Sequence, residues 1–489
     1  MIPFAVLYLT LMGILLLYGT HRYWLAWGAF MAGRRRRASA ATRPPVVVPR
    51  PVLIQLPIYN EGEEVLELLR SAAELDYPRE LLQIQVLDDS DDGSEQRVAA
   101  AVASWRARGV SMEHVRRASR EGYKAGALAE GLQRAAASES PPEFVAIFDA
   151  DFVVPSDFLT AALAEFSDDR VGMVQARWGF LNEKSNLLTR VQALMLDGHF
   201  AVEHQARAGA ERFFNFNGTA GVWRIEAIAD AGGWNADTIT EDLDLSIRAW
   251  LRGWRFRYMD DLVVPSQLPE TISAFKVQQN RWVSGSLQTA KKCLPIVLRS
   301  TLPWRDKLDL GFYLTGNLTY LMLFLLTLAV PVAVLLRLDG TPLAALWADV
   351  PFFAFATLSV LVFYGCARRG RRVLPFFCGR VPALMALGLG MSAHNSRAAC
   401  RGLFGRSRVF ERTPKGGRTR ELAARFRRLD WVSCVEPLMI IYLVVPLAVG
   451  VAIGRGIGAI PFALLFVLGY LFVFVEARRG WFARRGRLS

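Results

Sequence analysis

The chain has 489 residues, 52% of them hydrophobic, and a formal net charge of +13. This length and apolar content predict at least two domains, one of which we expect to lie in a membrane. The positive charge does not indicate nucleic-acid binding. The surplus arginines flank the apolar segments, where anionic lipid headgroups explain them, and no nucleic-acid-binding motif accompanies them.

The N-terminal segment, residues 1–33, is predicted to be a transmembrane anchor. Residues 2–20 carry no charge, and they are followed by an aromatic stretch and by the run Arg34–Arg37. This order is typical of a membrane span with an aromatic belt and a cytoplasmic positive flank. A cleaved signal peptide is the alternative, but there the charged run would precede the apolar stretch.

Residues 41–307 contain no uncharged run of the roughly 20 residues that cross a hydrocarbon core, so we expect a soluble domain. Apolar runs rich in strand-forming residues alternate with stretches of helical spacing. The predicted strands cover residues 51–57, 82–87 and 144–148, and the predicted helices cover residues 63–73, 94–108 and 124–137. This alternation predicts an α/β fold with a mixed, largely parallel sheet, whose ligands bind outside the carboxyl ends of the strands.

Two acidic clusters directly follow predicted strands. Asp88 and Asp89 come after the second strand, and they could equally form a turn or cap a helix. Asp149 and Asp151 lie in an apolar setting, where two close carboxylates repel each other unless a cation holds them. Mg²⁺ or Mn²⁺ prefers such oxygen ligands, and Ala150 would place both side chains on one face of an extended backbone.

A third acidic cluster, residues 240–245, has Thr240 as a predicted N-cap and places Glu241 and Asp242 in a first helical turn. Favourable interaction with the helix dipole accounts for one of these acids, and at most two. The cluster also follows the glycine- and asparagine-rich stretch at residues 214–224, which suits close approach of the backbone to a ligand.

A basic and aromatic cluster lies on a predicted amphipathic helix and includes Gln278, Arg281 and Trp282. Arg281 offers a planar donor fork for a phosphate, and Trp282 offers a flat face for a sugar ring. A packed surface is the alternative for this pair. Lys124, at a predicted helix start, is a second phosphate candidate, although a solvated surface lysine has the same pattern.

The C-terminal region, residues 308–489, is predicted to be a membrane domain. Its apolar segments at residues 310–336, 350–367, 431–454 and 456–475 can each span, which gives five spans with the N-terminal anchor. Residues 381–393 are apolar but short, and both flanks are rich in arginine, so we expect an interfacial or re-entrant segment. The same charge distribution places the soluble domain in the cytosol.

Cysteine and histidine patterns predict no metal site. The five cysteines form no CxxC pair, and most lie in or beside apolar segments. His199 and His204 are five residues apart and are not expected to share one face of an α-helix.

In combination and in this order, these residues resemble the membrane-bound family 2 glycosyltransferases with the D, DxD, TED and QxxRW motifs. Within that family the chain is most similar to the cellulose synthase-like A and C group, the mannan and glucan synthases, and to bacterial relatives. Further resembling segments cover residues 55–61, 85–90, 122–128, 214–223 and 394–398. The resemblance extends over nearly the whole chain.

The resemblance implies a Rossmann-like GT-A domain on the cytosolic face and a polysaccharide channel between membrane helices. Asp88 and Asp89 would contact the nucleotide, and Asp149 and Asp151 would hold the diphosphate and a Mg²⁺ or Mn²⁺ ion. Asp242 would be the general base. The remaining substrate-binding residues would be Lys124, Glu241, Gln278, Arg281 and Trp282.

The expected function is an inverting, processive transfer of hexose from GDP-mannose or UDP-glucose to a growing β-1,4-linked polysaccharide, which is extruded through the membrane. The protein would be a multi-pass integral membrane protein surrounded by membrane lipids, and if its source is bacterial it would lie in the plasma or inner membrane. A non-processive transferase that glycosylates a lipid is the first alternative. A catalytically inactive membrane scaffold is the second, and the oligomeric state stays open.

Overall fold

The computed structural model describes residues 2–39, 48–338, 349–368, 370–405, 435–452 and 460–485. Its α/β part is built on a seven-stranded sheet. The strands are β1 (Val52–Ile58), β2 (Leu82–Asp88), β3 (Met112–Val115), β4 (Phe144–Ile147), β5 (Val171–Phe180), β6 (Gly221–Arg224) and β7 (Arg255–Ser266).

Helices surround this sheet and precede it. They are α1 (Ile2–Ser39), α2 (Glu64–Ala73), α3 (Ser94–Ala107), α4 (Tyr123–Ala136), α5 (Phe158–Ala164), α6 (Leu187–Asp197), α7 (Gln205–Gly209), α8 (Ile225–Asp230), α9 (Glu241–Leu251) and α10 (Ile272–Arg299). A π-helix, Gly198–His204, joins α6 to α7.

The strand order is β3-β2-β1-β4-β6-β5-β7. Only β6 runs antiparallel to its neighbours, and the other pairs are parallel. The predicted mixed, largely parallel sheet is therefore confirmed, and its arrangement is GT-A-like.

Two apolar cores cover the two faces of the sheet. Val52, Ile54 and Leu56 of β1 pack in one core, while Leu53 packs in the other. Successive residues of a strand point to opposite faces, so a strand buried on both sides reads as a continuous apolar run. This explains why β1, β2 and β4 were predictable from the sequence.

Helices that follow α10 form the rest of the described chain. They are α11 (Trp304–Thr315), α12 (Leu318–Leu338), α13 (Asp349–Cys366), α14 (Val373–Pro375), α15 (Val381–Gly390), α16 (Ser392–Phe404), α17 (Val435–Ala452) and α18 (Ile460–Arg485). A π-helical turn, Phe376–Arg380, connects α14 to α15.

Within the described residues, three helical stretches are long and apolar enough to cross a membrane: Ile2–Arg35, Leu318–Leu336 and Val373–Gly390. Pro351–Cys366 and Val435–Val449 are shorter apolar helices. By length and composition the predicted count of five spans is therefore not established. Residues 431–434 and 456–459, where two of the predicted spans begin, lie outside the described residues.

Two differences from the predicted helices stand out. The predicted span 310–336 is interrupted at Gly316 and Asn317, between α11 and α12. The short segment predicted at residues 381–393 extends towards the N-terminus, because the π-helical turn continues the helix back to Val373.

Ion pairs connect the helical part directly to the α/β part. Arg371 pairs with Asp197 at the end of α6 at 2.6 Å, and Arg380 pairs with Glu183 at 2.6 Å. Lys276 of α10 pairs with Glu436 of α17 at 2.7 Å, and both side chains are buried. The two parts are thus held against each other by charge as well as by apolar packing.

Candidate active site

A cleft of about 180 Å³ opens at the carboxyl edge of the sheet, where β2, β1 and β4 lie side by side. We call it the strand-end cleft. The residues of the four predicted motifs that line it include Asp89, Asp149, Asp151, Glu241, Asp242, Gln278, Arg281 and Trp282. Lys124 lines it as well. The structure therefore brings together every predicted site residue except Asp88.

Asp88 lies beneath the cleft. Its Oδ2 atom is 2.9 Å from His114 Nε2, and its Oδ1 atom accepts a 2.9 Å hydrogen bond from the Ser90 amide. Burial opposes ionisation of this carboxyl, but the hydrogen bonds outweigh burial and lower its pKa. Asp88 is therefore placed to fix the end of β2 rather than to touch a ligand in the cleft.

Asp89, the next residue, turns towards the cleft. Its two carboxylate oxygens accept hydrogen bonds from Arg117, through Nε at 2.9 Å and through Nη2. Such two-point pairing fixes the orientation of a carboxylate. The Asp89 side chain is thus a rigid part of the cleft wall.

Asp149 and Asp151 follow β4. The backbone at this point is a turn, closed by a 3.1 Å hydrogen bond from the Phe152 amide to the Asp149 carbonyl, and is not extended as predicted. Both side chains nevertheless line the cleft. Asp149 accepts a 2.5 Å hydrogen bond from Lys124, and Asp151 accepts one from the Gln267 amide at 3.3 Å.

These two carboxylates fit a divalent ion that shares its ligands with a substrate. Among the described residues there is no group of three or more metal-ligating side chains. Mg²⁺ ordinarily binds through one or two carboxylates, water and substrate phosphates, not in an all-protein cage. Asp149 and Asp151 supply that donor set.

Lys124 lies among the carboxylates of the cleft and interacts with Asp149, Glu241 and Asp242. It occupies the first turn of α4, and its Nζ atom donates to Asp149 and, at 2.8 Å, to the Gly218 carbonyl. Burial lowers its pKa, but the charges of Asp149, Glu241 and Asp242 outweigh burial, and the net pKa is raised. Lys124 is therefore a half-buried cation paired with a carboxylate, not the solvated lysine of the alternative reading.

Glu241 and Asp242 begin α9, as predicted. Thr240 occupies the N-cap position of α9, as predicted, but its side chain makes no capping bond and instead contacts the Thr289 hydroxyl at 3.0 Å. Burial, followed by repulsion from Glu241, raises the pKa of Asp242 to about 7. A carboxyl of this kind can accept a proton near neutral pH.

The backbone of the loop before β6 lies close to Asp242. Gly218 has a φ of +79°, and a β-carbon at this position would lie 3.0 Å from Asp242 Oδ2. A side chain would be strained by the left-handed backbone and crowded by the carboxylate. The glycine-rich stretch thus approaches a side chain of the site closely, and its predicted approach to a ligand stays a prediction.

Gln278, Arg281 and Trp282 project from one side of α10, because residues three and four positions apart are neighbours on a helix. Burial raises the pKa of Glu241. The nearby charge of Arg281 opposes this effect but does not outweigh it. Trp282 lines both the strand-end cleft and a second cavity behind it.

Sequence reasoning missed other residues of the cleft, notably Tyr59, Glu61 and Arg120. The Arg120 guanidinium lies 3.4 Å from the centre of the Tyr59 ring, a cation–π contact. Tyr59 and Glu61 follow β1 just as the acidic clusters follow β2 and β4. The strand-end rule that located those acids would therefore have found them.

A middle cavity of about 420 Å³ adjoins the cleft, and the two share Asn217, Asp242 and Trp282. A third space of about 360 Å³, the helical cavity, follows between the apolar helices. The middle and helical cavities in turn share residues of α1, α10 and the α11–α12 break. Asp242 thus lies at the boundary between the first two of three adjoining spaces.

A hydrogen-bonded network borders the middle cavity. His199 contacts Glu203 at 3.0 Å and Asn217 at 2.8 Å, and Asn217 contacts His204 at 2.8 Å. The predicted separation of the two histidines is wrong, because their rings lie 4.2 Å apart. They occupy a π-helix, whose wider turn brings residues five apart together.

Two family models match the chain. The one described as Glycosyl transferase family 2 matches residues 54–224, and the one described as Glycosyl transferase family group 2 matches residues 144–366. Between them they cover every residue of the strand-end cleft and the whole sheet except the first two residues of β1.

Among curated proteins, glucomannan 4-beta-mannosyltransferase 2 of Arabidopsis thaliana is 44% identical over 251 residues. The matched part is 51% of this chain and 47% of the plant protein. The chain thus spans about half the length of this relative.

Solved structures show weaker likeness. Mannosyltransferase PcManGT from Pyrobaculum calidifontis, in complex with GDP-Man and Mn²⁺, is 22% identical with a TM-score of 0.49, covering 73% of this chain and 98% of that one. TarS of S. aureus is 15% identical with a TM-score of 0.39, covering 73% of this chain and 54% of that one. Both scores are below 0.5, so no site residue is assigned from these structures.

Proposed function

Because the chain belongs to the family 2 glycosyltransferases, of the cellulose synthase-like A and C type, we propose that it transfers a hexose from a nucleotide sugar to a β-1,4-linked polysaccharide. The donor is GDP-mannose or UDP-glucose. The plant relative is named as a glucomannan mannosyltransferase, which favours mannose as the transferred sugar. We further propose that transfer inverts the anomeric carbon and repeats processively.

One observation carries this proposal. Asp242 lies on the wall that the strand-end cleft shares with the middle cavity, and its raised pKa suits a base near neutral pH. The cleft offers cations for a diphosphate, whereas the middle cavity offers hydroxyl, amide and aromatic groups for a sugar chain. A base at the boundary of two such spaces can serve a transfer between them.

The donor would occupy the strand-end cleft. Asp89 and Tyr59 lie at the β1 and β2 edge, where the nucleoside would bind, and Lys124, Arg281 and Gln278 face the position of the diphosphate. Cations that are partly shielded from solvent stabilise a departing diphosphate more strongly than they would in water. Glu241, next to Lys124 and Arg281, would help to hold both cations in place.

Asp149 and Asp151 would hold Mg²⁺ or Mn²⁺, which when bound supplies further positive charge to the diphosphate. The 2.5 Å pair of Lys124 with Asp149 keeps one of the two carboxylates oriented towards the phosphate position.

The transfer itself is a single displacement. Asp242 accepts the proton of an acceptor hydroxyl while that oxygen bonds to the anomeric carbon of the donor sugar. The bond from this carbon to the diphosphate oxygen breaks, and its electron pair leaves with the nucleoside diphosphate. Trp282 would stack on the acceptor ring and so direct the hydroxyl towards Asp242.

The three adjoining spaces support extrusion of a polymer. From the strand-end cleft, the middle cavity and the helical cavity follow one another into the apolar helices. A product chain could therefore leave the base along this path as it grows. A transferase that released a small glycolipid after each turn would not require such a path.

We also propose a topology, with residues 1–33 as anchor, 41–307 as the cytosolic domain and 308–489 as the membrane domain. Arg371 and Arg380 precede α15 and form ion pairs with the catalytic part. After α15, α16 packs against α10, where His394 contacts the Lys276 carbonyl at 2.9 Å. Both ends of α15 therefore lie on the catalytic side. This favours an interfacial or re-entrant segment, although the helical stretch Val373–Gly390 is long enough to span.

The test is product analysis. Membranes that contain the protein are incubated with each labelled sugar nucleotide and Mg²⁺ or Mn²⁺, and the product is digested with linkage-specific glycanases. We expect an alkali-insoluble polymer that a β-1,4-specific glycanase degrades. A labelled glycolipid that extracts into organic solvent, with no polymer, would instead identify the lipid-glycosylating alternative.

A further inference from the structure

The side chain of Asn217 is hydrogen-bonded at both ends to histidines. Its Nδ2 atom donates to His199 Nε2 at 2.8 Å, and its Oδ1 atom accepts from His204 Nε2 at 2.8 Å. A carboxamide has one donor end and one acceptor end, so these two bonds together fix its orientation. We call His199, Asn217 and His204 the histidine clamp.

A second set of hydrogen bonds fixes the backbone at and after Asn217. The Asn217 amide donates to Gln175 Oε1 at 2.9 Å. The Gln175 Nε2 atom donates to the Thr219 carbonyl at 3.1 Å and to the Ala220 carbonyl at 3.0 Å, and Gln175 is fully buried in β5. The loop at residues 217–220 is therefore bound to the sheet on one side and to the π-helix on the other.

The same loop contacts the charged groups of the strand-end cleft. The Gly218 carbonyl accepts from Lys124 at 2.8 Å, and Thr219 Oγ1 accepts from the Asp149 amide at 2.9 Å. A β-carbon at Gly218 would lie 3.0 Å from Asp242 Oδ2. A displacement of this loop would therefore disturb Lys124, Asp149 and Asp242 together.

The hydrogens of the two rings are placed as the clamp requires. Burial lowers the pKa of His204 well below its usual range, so the ring carries one N–H, which Nε2 directs to Asn217. Burial raises the pKa of Glu203, but the hydrogen bond from His199 and the charge of Arg207 outweigh burial and lower it. An ionised Glu203 can only accept, so His199 donates to it from Nδ1 and accepts from Asn217 at Nε2.

The π-helix is what brings the two histidines to one asparagine. Residues five apart do not share a face of an α-helix, whereas here the rings of His199 and His204 lie 4.2 Å apart. π-helical turns are rare and occur frequently at functional sites. The local departure from α-helix thus has a specific result, which is the pair of bonds to Asn217.

Ion pairs support the clamp from behind. Arg207 of α7 is fully buried, and it contacts Glu203 at 3.4 Å and Asp309 of α11 at 2.5 Å. Asp309 also contacts His21 of α1 at 3.1 Å. The clamp is thus connected through charged side chains to the N-terminal helix and to the helices that follow α10.

We infer that His199 and His204 are positioning residues for sugar transfer: through Asn217 they hold the loop at residues 217–219, and this loop holds Lys124 and Asp242 in their reacting arrangement. The inference rests on the proposed function. It assigns the histidines to the geometry of the base and of the cation, and not to the binding of a sugar.

Two substitutions of His204 separate its hydrogen bond from the space that its ring fills. His204→Gln keeps a side-chain N–H that can donate to Asn217, whereas His204→Leu fills the space without a donor. His204→Leu should lower kcat for sugar transfer about tenfold. The dissociation constant of the sugar nucleotide should change by about twofold or less, because Lys124 keeps its ion pair with Asp149. His204→Gln should restore kcat to within about threefold of the unaltered protein.

Hydrogen exchange gives a second measurement, which does not need turnover. Exchange of backbone amides in a peptide that covers residues 213–224 is followed by mass spectrometry. It should be faster in His204→Leu and close to that of the unaltered protein in His204→Gln. His199→Leu removes the acceptor for Asn217 Nδ2 and should behave like His204→Leu.

Tyr77→Phe is the matched control for the loss of a buried side-chain hydrogen bond. The Tyr77 hydroxyl bonds to the backbone nitrogen of Arg50 at 2.8 Å and to its carbonyl at 2.7 Å, and neither residue lines the strand-end cleft. This variant should lower the melting temperature and leave kcat and the exchange of residues 213–224 unchanged.

The inference is overturned if His204→Gln transfers sugar as slowly as His204→Leu, if His204→Leu has a near-native kcat, or if exchange of residues 213–224 does not change in the leucine variants. A failure of the proposed function would look different. If the unaltered protein transfers no sugar but exchange follows the expected order among the variants, the loop is held as inferred and the proposed reaction fails.

Discussion

Gly218 and Asp242 are in such close contact that a β-carbon at residue 218 would lie 3.0 Å from the carboxylate. The carbonyl of the same glycine accepts a hydrogen bond from Lys124. One backbone segment therefore positions the proposed base and the central cation together.

Gly218→Ala should lower the transfer rate by more than about tenfold, because the carboxylate of Asp242 must move to make room and loses its orientation to the acceptor. The left-handed backbone adds about 1–2 kcal/mol of strain. The initial rate of labelled sugar transfer checks this expectation. Gly253→Ala is the matched control, since Gly253 has a φ of +88° and open space around it. The control should share the strain and keep the activity; equal losses in both variants would show that strain alone is responsible.

The pH dependence of transfer should report Asp242. Its pKa is raised to about 7 by burial and by Glu241. A base acts only when it is deprotonated, so the activity should rise as the pH increases through about 7 and fall tenfold for each unit below it. The profile of kcat/KM for the acceptor, measured on the purified protein, checks this. A profile that stays flat from pH 5 to pH 8 would be incompatible with a base of this pKa.

The ion pair of Lys276 with Glu436 fixes α10, and with it Arg281 and Trp282, against α17. Both side chains are buried, at 5% and 4% exposure. Lys276→Met alone should lower the free energy of unfolding by about 3–5 kcal/mol, because it leaves a buried carboxylate unpaired. The double variant with Glu436→Leu should recover most of this loss. Thermal unfolding in detergent measures both. No recovery in the double variant would mean that packing, not charge, dominates here.

The proposed topology can be checked with introduced cysteines. Arg372→Cys precedes α15, and Lys184→Cys lies in the catalytic part; both positions are exposed. A membrane-impermeant maleimide should label both in vesicles whose catalytic face is outward, and neither in vesicles of the opposite orientation. The unaltered protein measures the background from the native cysteines. Opposite labelling of the two positions would exclude a common side.

The acids at the strand ends were predictable because buried parallel strands are continuous apolar runs and their carboxyl ends meet at one edge. It was not predictable that Asp88 would be buried while Asp89 would line the cleft. It depends on which of the two side chains points into the sheet towards His114, and that is set by where β2 ends.

Other features depend on contacts that are distant in the sequence. β5 and β7 were not predicted. β7 carries charges at Arg255, Arg257, Asp260 and Asp261, and it is a strand because it pairs with β5. The proximity of His199 to His204 arises from a π-helix, for which the sequence has no periodic signal. The apolar helices could be located by composition, but the break at Gly316 and Asn317 lies within an uncharged run and has no signal of its own.

Asp242→Asn tests the proposed mechanism most directly, because the amide keeps the shape of the carboxylate and cannot accept a proton. The measurement is labelled sugar transfer from GDP-mannose and UDP-glucose, together with the dissociation constant of each donor for the purified variant. We predict a rate lowered by about 10²–10⁴-fold with donor binding retained. Transfer at a near-native rate would contradict the assignment of Asp242 as the base.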